Sequence, residues 1–473
     1  MAAVVRRSVP DFLLEFLNPN NRFVTVIALL AALGGFLFGF DTGVVSGALP
    51  YIGKDLHLGA FGKSWVVGSL LLGAIAGAFA SGKLADALSR KWTKFVSGCV
   101  FAVAGICSAF APSIELLTAA RFVLGLAVGT ASFVAPMYIA EHSPPRLRGG
   151  MTAFNQFMIT LGILIAYIAD FALKGFNNNW RWMFGFEVVP GIALAVAMVF
   201  VPHTPRWLVQ KGRVDEARAV LERTRPDTDP SQEINDIQEV AGSQHAFRFR
   251  QLLGPRFRML LIIGAGMATF QQILGINTVI YFGATILHFT GLTLSVSVAE
   301  AVFLGIFNWF FAGVAVFILD KVGRKPLLII SAVGCTIGLI FLGWYFDQTV
   351  AFQHANGDMA LAAILWYLSF FEIGLGPVFW VMIAEIYPLR SRAKAMAVAT
   401  MFNWGFNFLV SYFFLQMTKD IGKPGTFWLY AGFGVAAAVF FTMLVPETKD
   451  RTLEEIEREV SGTNSGGEEL NAA

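Results

Sequence analysis

The sequence predicts an all-α membrane protein in which about twelve helices cross a lipid bilayer. Of its 473 residues, 56% are hydrophobic and only 14% are charged, whereas soluble domains carry about 25% charged residues. The mean hydropathy is +0.63. The apolar residues form long runs, each near the roughly 20 residues that a helix needs to cross a bilayer. Lysine and arginine are concentrated in every second loop, as is typical of a multi-pass protein.

The apolar runs form two sets of six, separated by a polar stretch. In the first set the runs cover about 24–49, 65–84, 95–113, 116–140, 151–173 and 183–201. In the second set they cover about 258–288, 297–319, 326–346, 360–386, 395–418 and 426–445. We number these spans one to twelve. Their ends are approximate, because hydropathy changes gradually along a chain.

Basic residues indicate which loops face the cytoplasm. The loops after spans two, four, eight and ten are rich in lysine and arginine, for example Lys83, Arg90, Lys91 and Lys94 after span two. The alternate loops contain few basic residues. Because positively charged loops stay on the cytoplasmic side, we expect these loops and both termini to be cytoplasmic. We also expect this multi-pass protein to lie in the plasma membrane.

The polar stretch between the two sets predicts a small helical subdomain. Residues 214–223 have a charged amphipathic helix pattern, and residues 234–240 form a second, acidic helical segment. We therefore divide the chain into a cytoplasmic N-terminus 1–23, an N-terminal six-helix bundle 24–201, a cytoplasmic helical linker 202–256, a C-terminal six-helix bundle 257–445 and a cytoplasmic tail 446–473.

The two sets of spans carry matching loops, which indicates a repeat. Asp86 after span two aligns with Asp320 after span eight, and basic residues follow both aspartates. Glu141 after span four aligns with Glu385 after span ten, and two arginines follow each glutamate in the same register. Membrane proteins built from two related halves bind a solute near the midplane, between the halves.

Three amide side chains lie in span seven, in an uncharged run from 259 to 287: Gln271, Gln272 and Asn277. Amides at membrane depth are costly unless they find hydrogen-bond partners. At about 100° per residue, Gln271 and Asn277 are roughly 120° apart on a straight helix. Either they line a wide cavity, or the helix breaks near Gly275. The alternative is a purely structural role, in which the amides join neighbouring helices.

The composition disfavours several classes of protein and site. The net charge of +3 is too small to indicate nucleic-acid binding, and the three cysteines lack the spacing of a metal site. No nucleophile–base set, metal cluster or phosphate-binding loop is recognisable. An enzyme is therefore disfavoured, and we expect no metal or other cofactor. The lipid bilayer and a solute are the expected partners.

Short motifs occur in a fixed order along nearly the whole chain. They include Asp-x-x-Gly-Arg-Lys at 320–325, glutamate–arginine loops at 141–148 and 385–392, and Pro-His-Thr-Pro-Arg-Trp-Leu at 202–208. Others are Gln-Gln-x-x-Gly-x-Asn at 271–277, Gly-Leu-Gly-Pro at 374–377 and Pro-Glu-Thr-Lys at 446–449. Together they resemble the sugar porter branch of the major facilitator superfamily. The resemblance implies twelve transmembrane helices in two pseudo-symmetric six-helix bundles with a cytoplasmic helical linker.

Two positions depart from the family's pattern. Ser89 lies in Leu-Ser-Arg, where the family usually has Gly-Arg-Arg or Gly-Arg-Lys, and His203 replaces the usual glutamate of Pro-Glu-Ser-Pro-Arg. Both positions belong to the cytoplasmic charge network, so the departures concern gating. The resemblance assigns to this network Asp86, Arg90, Glu141, Arg148, Asp320, Arg324, Glu385, Arg392 and Glu447.

A sugar presents a ring of hydroxyl groups, which match the paired donor and acceptor groups of an amide. Aromatic rings suit the apolar faces of the sugar. The resemblance implies the following sugar contacts: Gln156, Gln271, Gln272, Asn277, Asn308, Glu372, Trp380, Asn403 and Trp404. Each has an alternative role: Asn308 could bond a backbone carbonyl, and the tryptophans could be core or membrane-interface aromatics.

Ile163 bears on which sugar is carried. It lies seven residues after Gln156, two helical turns along span five, and should face the same cavity. An apolar residue there resembles the glucose-transporting members of the family more than the xylose-transporting members, which have glutamine. The resemblance therefore favours a hexose such as glucose.

Glycine and proline predict a break in span ten. Gly374 and Gly376 lower the cost of bending, and Pro377 removes one helical hydrogen bond. We expect a hinged gate beside the sugar, with a static kink as the alternative. We also assign Tyr281 and Phe282 of span seven to gating.

Charged residues inside the spans predict energy coupling. Asp41 lies in span one and Arg121 in span four, and because a lone intramembrane charge is costly, we expect each to have a partner. The resemblance pairs the two with each other and marks Asp41 as the proton-carrying carboxylate of the symporters. Glu187 of span six is a further acid of this network. The alternative is a structural salt bridge.

We therefore expect a secondary active transporter that imports a monosaccharide by alternating access, as a monomer, with a proton as the coupling ion. The nearest alternative is a facilitative uniporter for a sugar or a polyol such as inositol, although such relatives usually have a neutral residue at the position of Asp41. A transporter-like sugar sensor is a further alternative. Such sensors usually carry long cytoplasmic tails, whereas 27 residues follow Pro446.

Overall fold

The computed structural model describes residues 21–144, 147–225, 229–243, 252, 254–352, 357–387, 391–449 and 451. Within these ranges the regular structure is helical. Twelve spans are long and apolar enough to cross a membrane. The number of spans predicted from the apolar runs is therefore confirmed.

Spans one to six form the first half of the protein. The helices of this half are α1 (Arg22–Asp55), α2 (Ala60–Leu88), α3 (Arg90–Ala109), α4 (Ile114–His142), α5 (Arg148–Leu173), α6 (Asn179–Gly185) and α7 (Val188–Phe200). Helix α1 continues beyond the predicted run 24–49, because helical hydrogen bonding extends past the apolar segment that hydropathy detects. Span six is divided between α6 and α7.

Three short helices form the linker: α8 (Pro205–Gln210), α9 (Val214–Thr224) and α10 (Pro230–Ser243). They enclose a small core of Trp207, Leu208, Val209, Ala217, Leu221 and Ile234. The amphipathic patterns at 214–223 and 234–240 predict α9 and α10. Helix α8 is unexpected, because six residues are too few to show a helical period.

Spans seven to twelve form the second half. The helices are α11 (Pro255–Ile273), α12 (Ile276–His288), α13 (Leu294–Val322), α14 (Arg324–Phe352), α15 (Gly357–Ile373), α16 (Leu375–Glu385), α17 (Arg392–Asp420) and α18 (Gly422–Leu444). Span seven consists of α11 and α12, and span ten consists of α15 and α16. Both spans are therefore broken near their middle.

The break in span seven is formed by Gly275. Its φ of 87° is left-handed, and a Cβ atom there would lie 2.6 Å from the ring of Tyr430. Both facts require glycine. The predicted break near this residue is therefore present.

The break in span ten lies at Gly374, with φ −128° and ψ −82°. Gly376 and Pro377 lie in the first turn of α16 rather than at the break. Since the first N–H groups of a helix have no partner within it, the missing N–H of Pro377 breaks no helical bond there. The expectation that all three residues share one break is therefore corrected.

The two halves are joined where α1 ends and α2 begins. We call this side the outer end, because the basic loops predict that it is extracellular. The Tyr167 hydroxyl of α5 donates to the Ile280 carbonyl of α12 at 2.8 Å. The Ala284 N–H of α12 donates to the Ser46 hydroxyl of α1 at 3.1 Å. Because each bond joins one half to the other, the outer end is closed in this structure.

Glycines let α1 and α5 pack with their backbones in contact. A Cβ atom at Gly39 would lie 1.8 Å from the Ile159 carbonyl oxygen, and one at Gly162 would lie 2.2 Å from the Phe36 carbonyl oxygen. Small residues allow such close approach between membrane helices. The α1–α5 pair is therefore a tight unit that carries residues of both candidate sites.

Candidate functional site

Four of the predicted sugar-contact amides form one hydrogen-bonded chain. Asn403 of α17 donates to Gln271 Oε1 at 2.5 Å, and Gln272 donates to the same oxygen at 3.4 Å. Asn277 of α12 donates to Gln272 Oε1 at 2.6 Å. The chain thus crosses the break in span seven and reaches span eleven.

Gln271 also connects the chain to span ten. Its Nε2 donates to the carbonyl oxygens of Leu375 at 2.9 Å and of Gly376 at 3.1 Å. Both carbonyls lie in the first turn of α16, directly after the break at Gly374. Spans seven, ten and eleven therefore meet at the side chain of Gln271.

Neighbouring helices bond the backbone at both breaks. The Tyr367 hydroxyl donates to the Leu274 carbonyl at 3.0 Å, at the break in span seven. The Leu375 N–H donates to the Ser331 hydroxyl at 3.0 Å, after the break in span ten. These bonds satisfy polar backbone groups that would be costly at membrane depth. The broken helices are thus supported by the fold.

The remaining predicted sugar contacts form no hydrogen bond to the four-amide chain among the described residues. Gln156 is half-buried. Asn308 and Glu372 are buried, and each has one side-chain oxygen without a hydrogen-bond partner in the described part of the chain. Unpaired buried acceptors of this kind suit a donor such as a sugar hydroxyl.

Trp380, Trp404 and Ile163 differ in their surroundings. Trp380 is 40% exposed. Trp404 is buried, and its ring lies 5.6 Å from that of Phe38, across the two halves. Ile163 is buried, and its backbone lies against Gly43 of α1.

A second cluster lies inside the first half. Arg121 Nη1 donates to Asp41 Oδ1 at 2.8 Å, and both side chains are at most 1% exposed. Arg121 Nε donates to the Val66 carbonyl at 3.2 Å, and the guanidinium lies 5.1 Å from the ring centre of Phe184. Asp41 and Arg121, which we expected to pair, are therefore in direct contact.

Glu187 places a second acid beside this pair. It lies at the break in span six, between α6 and α7, and is fully buried. It interacts electrostatically with both Asp41 and Arg121. Neither of its carboxylate oxygens has a hydrogen-bond partner within the described ranges. One guanidinium therefore faces two carboxyl groups, and a single proton would balance the charge.

Tyr281 lies near the second cluster and contacts an amide of span eleven outside the four-amide chain. Its hydroxyl accepts a hydrogen bond from Asn407 Nδ2 of α17 at 3.4 Å and lies beside Thr42, the residue after Asp41. The next residue, Phe282, has φ −113° and ψ 16°, which marks a second irregularity in span seven. Tyr281, which we assigned to gating, therefore lies near the acid pair and contacts span eleven.

Comparison with known proteins decides the family. The family model described as "Sugar (and other) transporter" matches residues 27–460. The chain belongs to this sugar transporter family. The predicted membership is thereby confirmed, and the protein is a multi-pass membrane transporter rather than an enzyme.

Relatives of this sugar transporter match over almost their whole length. A D-xylose transporter of Levilactobacillus brevis is 38% identical, over 91% of this chain and 94% of the relative. The glucose transporter GlcP of Staphylococcus epidermidis is 36% identical, over 92% of this chain and 97% of the relative.

Solved structures of the xylose transporter XylE from Escherichia coli have the same fold. Its partially occluded inward-open form is 30% identical, with a TM-score of 0.81 over 91% of this chain and 100% of that chain. The same protein, described as a proton:xylose symporter bound to 6-bromo-6-deoxy-D-glucose, gives 30% identity and a TM-score of 0.77 over 93% and 99%. The predicted major facilitator fold is confirmed.

The sugar transporter's loop motifs form ion pairs in each half. In the first half, Arg90 contacts Asp86 at 2.9 Å and Glu141 at 3.4 Å. In the second half, Arg324 contacts Glu385 at 3.0 Å. Arg148 and Asp320, which we also assigned to this network, lie in described helices, but the structure does not describe their side chains.

Two further members of the predicted network contact backbone groups. Glu447 accepts hydrogen bonds from the N–H groups of Arg324 at 3.1 Å and Lys325 at 3.2 Å, at the start of α14. A carboxylate is favourable at a helix N-terminus. Arg392 Nε donates to the Tyr387 carbonyl at 3.1 Å.

The two positions that depart from the family's pattern contact each other. His203 Nδ1 lies 3.1 Å from the Ser89 hydroxyl. Ser89 has a φ of 86° and caps α3, because its hydroxyl accepts the Trp92 N–H at 3.2 Å. Burial first, and then the charges of Lys91 and Arg213, lower the pKa of His203. This side chain is therefore neutral at neutral pH.

Sequence reasoning missed some members of these clusters. Asn407 bonds Tyr281 and Ser411, and its position four residues after Asn403 places both amides on one helix face. That spacing was the signal available in the sequence. The contact between Ser89 and His203 had no such signal, since 114 positions separate them.

Proposed function

We propose that this transporter carries a monosaccharide and a proton together into the cell by alternating access. The proposal depends on the buried group of Asp41, Arg121 and Glu187. In this group a single positive charge lies near two carboxyl groups. Leaving such a site with an unbalanced charge is costly, so it favours the uptake of one proton. Asp41 is the proposed carrier of that proton.

The amide chain is the proposed sugar site. Gln271, Gln272, Asn277 and Asn403 bond one another in this closed-outside structure. Sugar hydroxyls both donate and accept, so they can replace amide–amide bonds with little net loss of hydrogen bonding. Asn308 and Glu372 have unpaired acceptors for further hydroxyls. The helix breaks beside these residues support a gating role for spans seven and ten.

Coupling between the two sites is proposed to pass through Tyr281. Its hydroxyl lies between Asn407 of α17 and Thr42 of α1. Movement of α12 during gating would shift this hydroxyl relative to the neighbouring Asp41. A change of proton affinity at Asp41 would then accompany the change in sugar access.

A hexose is the proposed substrate, on the basis of Ile163. The Ile163→Gln variant tests this choice. We expect it to shift the ratio of hexose to pentose transport towards the pentose, measured by competition between labelled glucose and xylose in proteoliposomes. A parent protein that prefers xylose would instead support a pentose, which the name of the D-xylose transporter relative also suggests.

The orientation and the functional unit are part of the same proposal. We propose that the chain lies in the plasma membrane as a monomer, divided at the predicted domain boundaries, with both termini in the cytoplasm. The density of lysine and arginine in the loops after spans two, four, eight and ten supports this orientation.

The proposed function is tested with purified protein in proteoliposomes. A panel of labelled monosaccharides and polyols is offered with and without an imposed pH gradient. We expect uptake against the sugar gradient only when protons flow inwards, and alkalinisation of the medium when sugar is added. Uptake that ignores the pH gradient would instead identify a facilitative uniporter, and absence of uptake would favour a sensor.

A further inference from the structure

Asp170 is a buried acid that neither proposed site uses. It lies on α5, one turn before the helix ends at Leu173, and is 1% exposed. Its Oδ2 accepts a hydrogen bond from the Gly47 N–H of α1 at 3.0 Å. Its Oδ1 has no hydrogen-bond partner, and Asp170 has no ion pair, in the part of the chain that the structure describes.

Among the described residues, the titratable side chains that interact with Asp170 carry no positive charge. They are Tyr51 from α1 and Tyr167 from α5 itself. A Cβ atom at Gly47 would lie 2.3 Å from Asp170 Oδ2, so α1 packs directly on the carboxyl group. A carboxylate buried without a cation is costly, whereas the protonated acid is far less so.

Two charged residues nearer the outer end, Lys174 and Glu300, interact with groups other than Asp170. Lys174, the residue after α5, donates to the Ser295 carbonyl at 2.9 Å. Glu300 of α13 interacts electrostatically with Asp358. These groups therefore leave the charge of an ionised Asp170 uncompensated.

Asp170 lies beside the two bonds that close the outer end. Tyr167, one turn earlier on α5, donates to the Ile280 carbonyl of the second half. Ser46, next to Gly47, accepts the Ala284 N–H of the second half. The carboxyl group thus links α5 to α1. These are the two helices of the first half that make the closing contacts with the second half.

We propose that Asp170 is a second proton-binding group of this transporter, and that its protonated form favours closure of the outer end. The inference rests on the proposed sugar–proton transport and on the proposed orientation. When the outer end opens, water reaches the α1–α5 contact and the acid can release its proton to the medium. Closure buries the group again and requires the proton to be taken back from outside.

Sugar exchange tests the proposal, measured both in the protein with Asp41 intact and in the Asp41→Asn background. This substitution removes the proposed coupling carboxyl, so pH dependence that remains has another source. We measure exchange of labelled sugar while the external pH is raised from about 5.5 to 8.5. The protonated fraction of a single group falls about tenfold per pH unit above its midpoint, so we expect exchange to fall severalfold at alkaline external pH.

Adding Asp170→Asn should abolish this pH dependence. The amide oxygen can still accept the Gly47 N–H, so the variant should fold, which size-exclusion chromatography checks. Asp170→Thr is a second uncharged variant with an acceptor, and it should give the same flat profile. Asp420→Asn is the matched control, because it removes an exposed carboxylate at the end of α17. It should keep the profile of its parent.

Two results would overturn the inference alone. One is exchange in Asp41→Asn that is active but insensitive to external pH. The other is a pH profile that Asp170→Asn and Asp170→Thr leave unchanged, compared with Asp41 intact if Asp41→Asn exchanges no sugar. Absence of sugar exchange in the unmodified protein would instead overturn the proposed function. The two failures are therefore distinguishable.

Discussion

Replacing Asp41 with asparagine tests proton coupling with little change in side-chain shape. Asp41 accepts a 2.8 Å hydrogen bond from Arg121, and both side chains are almost completely buried. An amide cannot exchange a proton as a carboxyl group does, so sugar movement should no longer move a proton. We expect sugar exchange to continue while accumulation fails.

The magnitude follows from the membrane potential. A charge that crosses 100 mV gains about 2.3 kcal/mol, and each tenfold concentration ratio requires about 1.36 kcal/mol. One coupled proton therefore sustains about fiftyfold accumulation of sugar. In Asp41→Asn the ratio of inside to outside sugar should fall to about one.

The structure also indicates the effect on folding. Removing one partner of a buried ion pair costs about 3–5 kcal/mol when the other charge is left alone. Here Arg121 keeps the Val66 carbonyl at 3.2 Å and the nearby acid Glu187. We therefore expect a smaller loss of stability, visible as a modest decrease in Tm of the detergent-purified protein.

The assay uses proteoliposomes with an imposed potential and labelled sugar, together with a counterflow measurement that needs no driving force. Asp420→Asn is the control for loss of a carboxylate, since this side chain is exposed and accepts a hydrogen bond from Gln416. Accumulation at the parental level in Asp41→Asn would refute the reasoning. Loss of both activities in folded protein would favour a purely structural ion pair.

Three further predictions concern the amide chain, the helix packing and the departure at position 203. Gln272→Ala should weaken sugar binding by about 1–3 kcal/mol, because the sugar loses the donor and acceptor groups of this side chain, and binding to purified protein measures this. Gly39→Ala should reduce the yield of folded protein, because its Cβ would lie 1.8 Å from the Ile159 carbonyl oxygen. Because the pKa of His203 is lowered in the folded protein, the unfolded chain binds a proton more readily, and stability should decrease as the pH falls below about 6.5. His203→Gln should therefore lose less Tm between about pH 7 and pH 5.

Each of these predictions has its own control. Unchanged sugar affinity in Gln272→Ala would show that the sugar binds elsewhere. Gly82→Ala is the match for Gly39→Ala, since a Cβ atom at Gly82 meets no described atom within 4 Å, and it should be tolerated. An identical pH dependence of Tm in His203→Gln and the parent would exclude a contribution from this side chain.

The sequence by itself determined the features that depend on local composition. The twelve spans follow from runs of apolar residues, because the bilayer acts on each segment separately. A break near Gly275 was one of two alternatives that the sequence allowed, since the neighbouring amides cannot share one face of a straight helix. A partner for Asp41 could be expected because a single buried charge is costly, and the family resemblance indicated Arg121.

Only the tertiary structure decided which distant groups touch. Gln271 forms hydrogen bonds with Asn403 and with the backbone carbonyls after Gly374. The sequence equally allowed the Gln271 side chain to line an open cavity. The contact of Asp170 with Gly47 spans 123 positions. Such contacts depend on the relative height and rotation of packed helices. Those quantities are set by the sum of many side-chain contacts, which no local pattern contains.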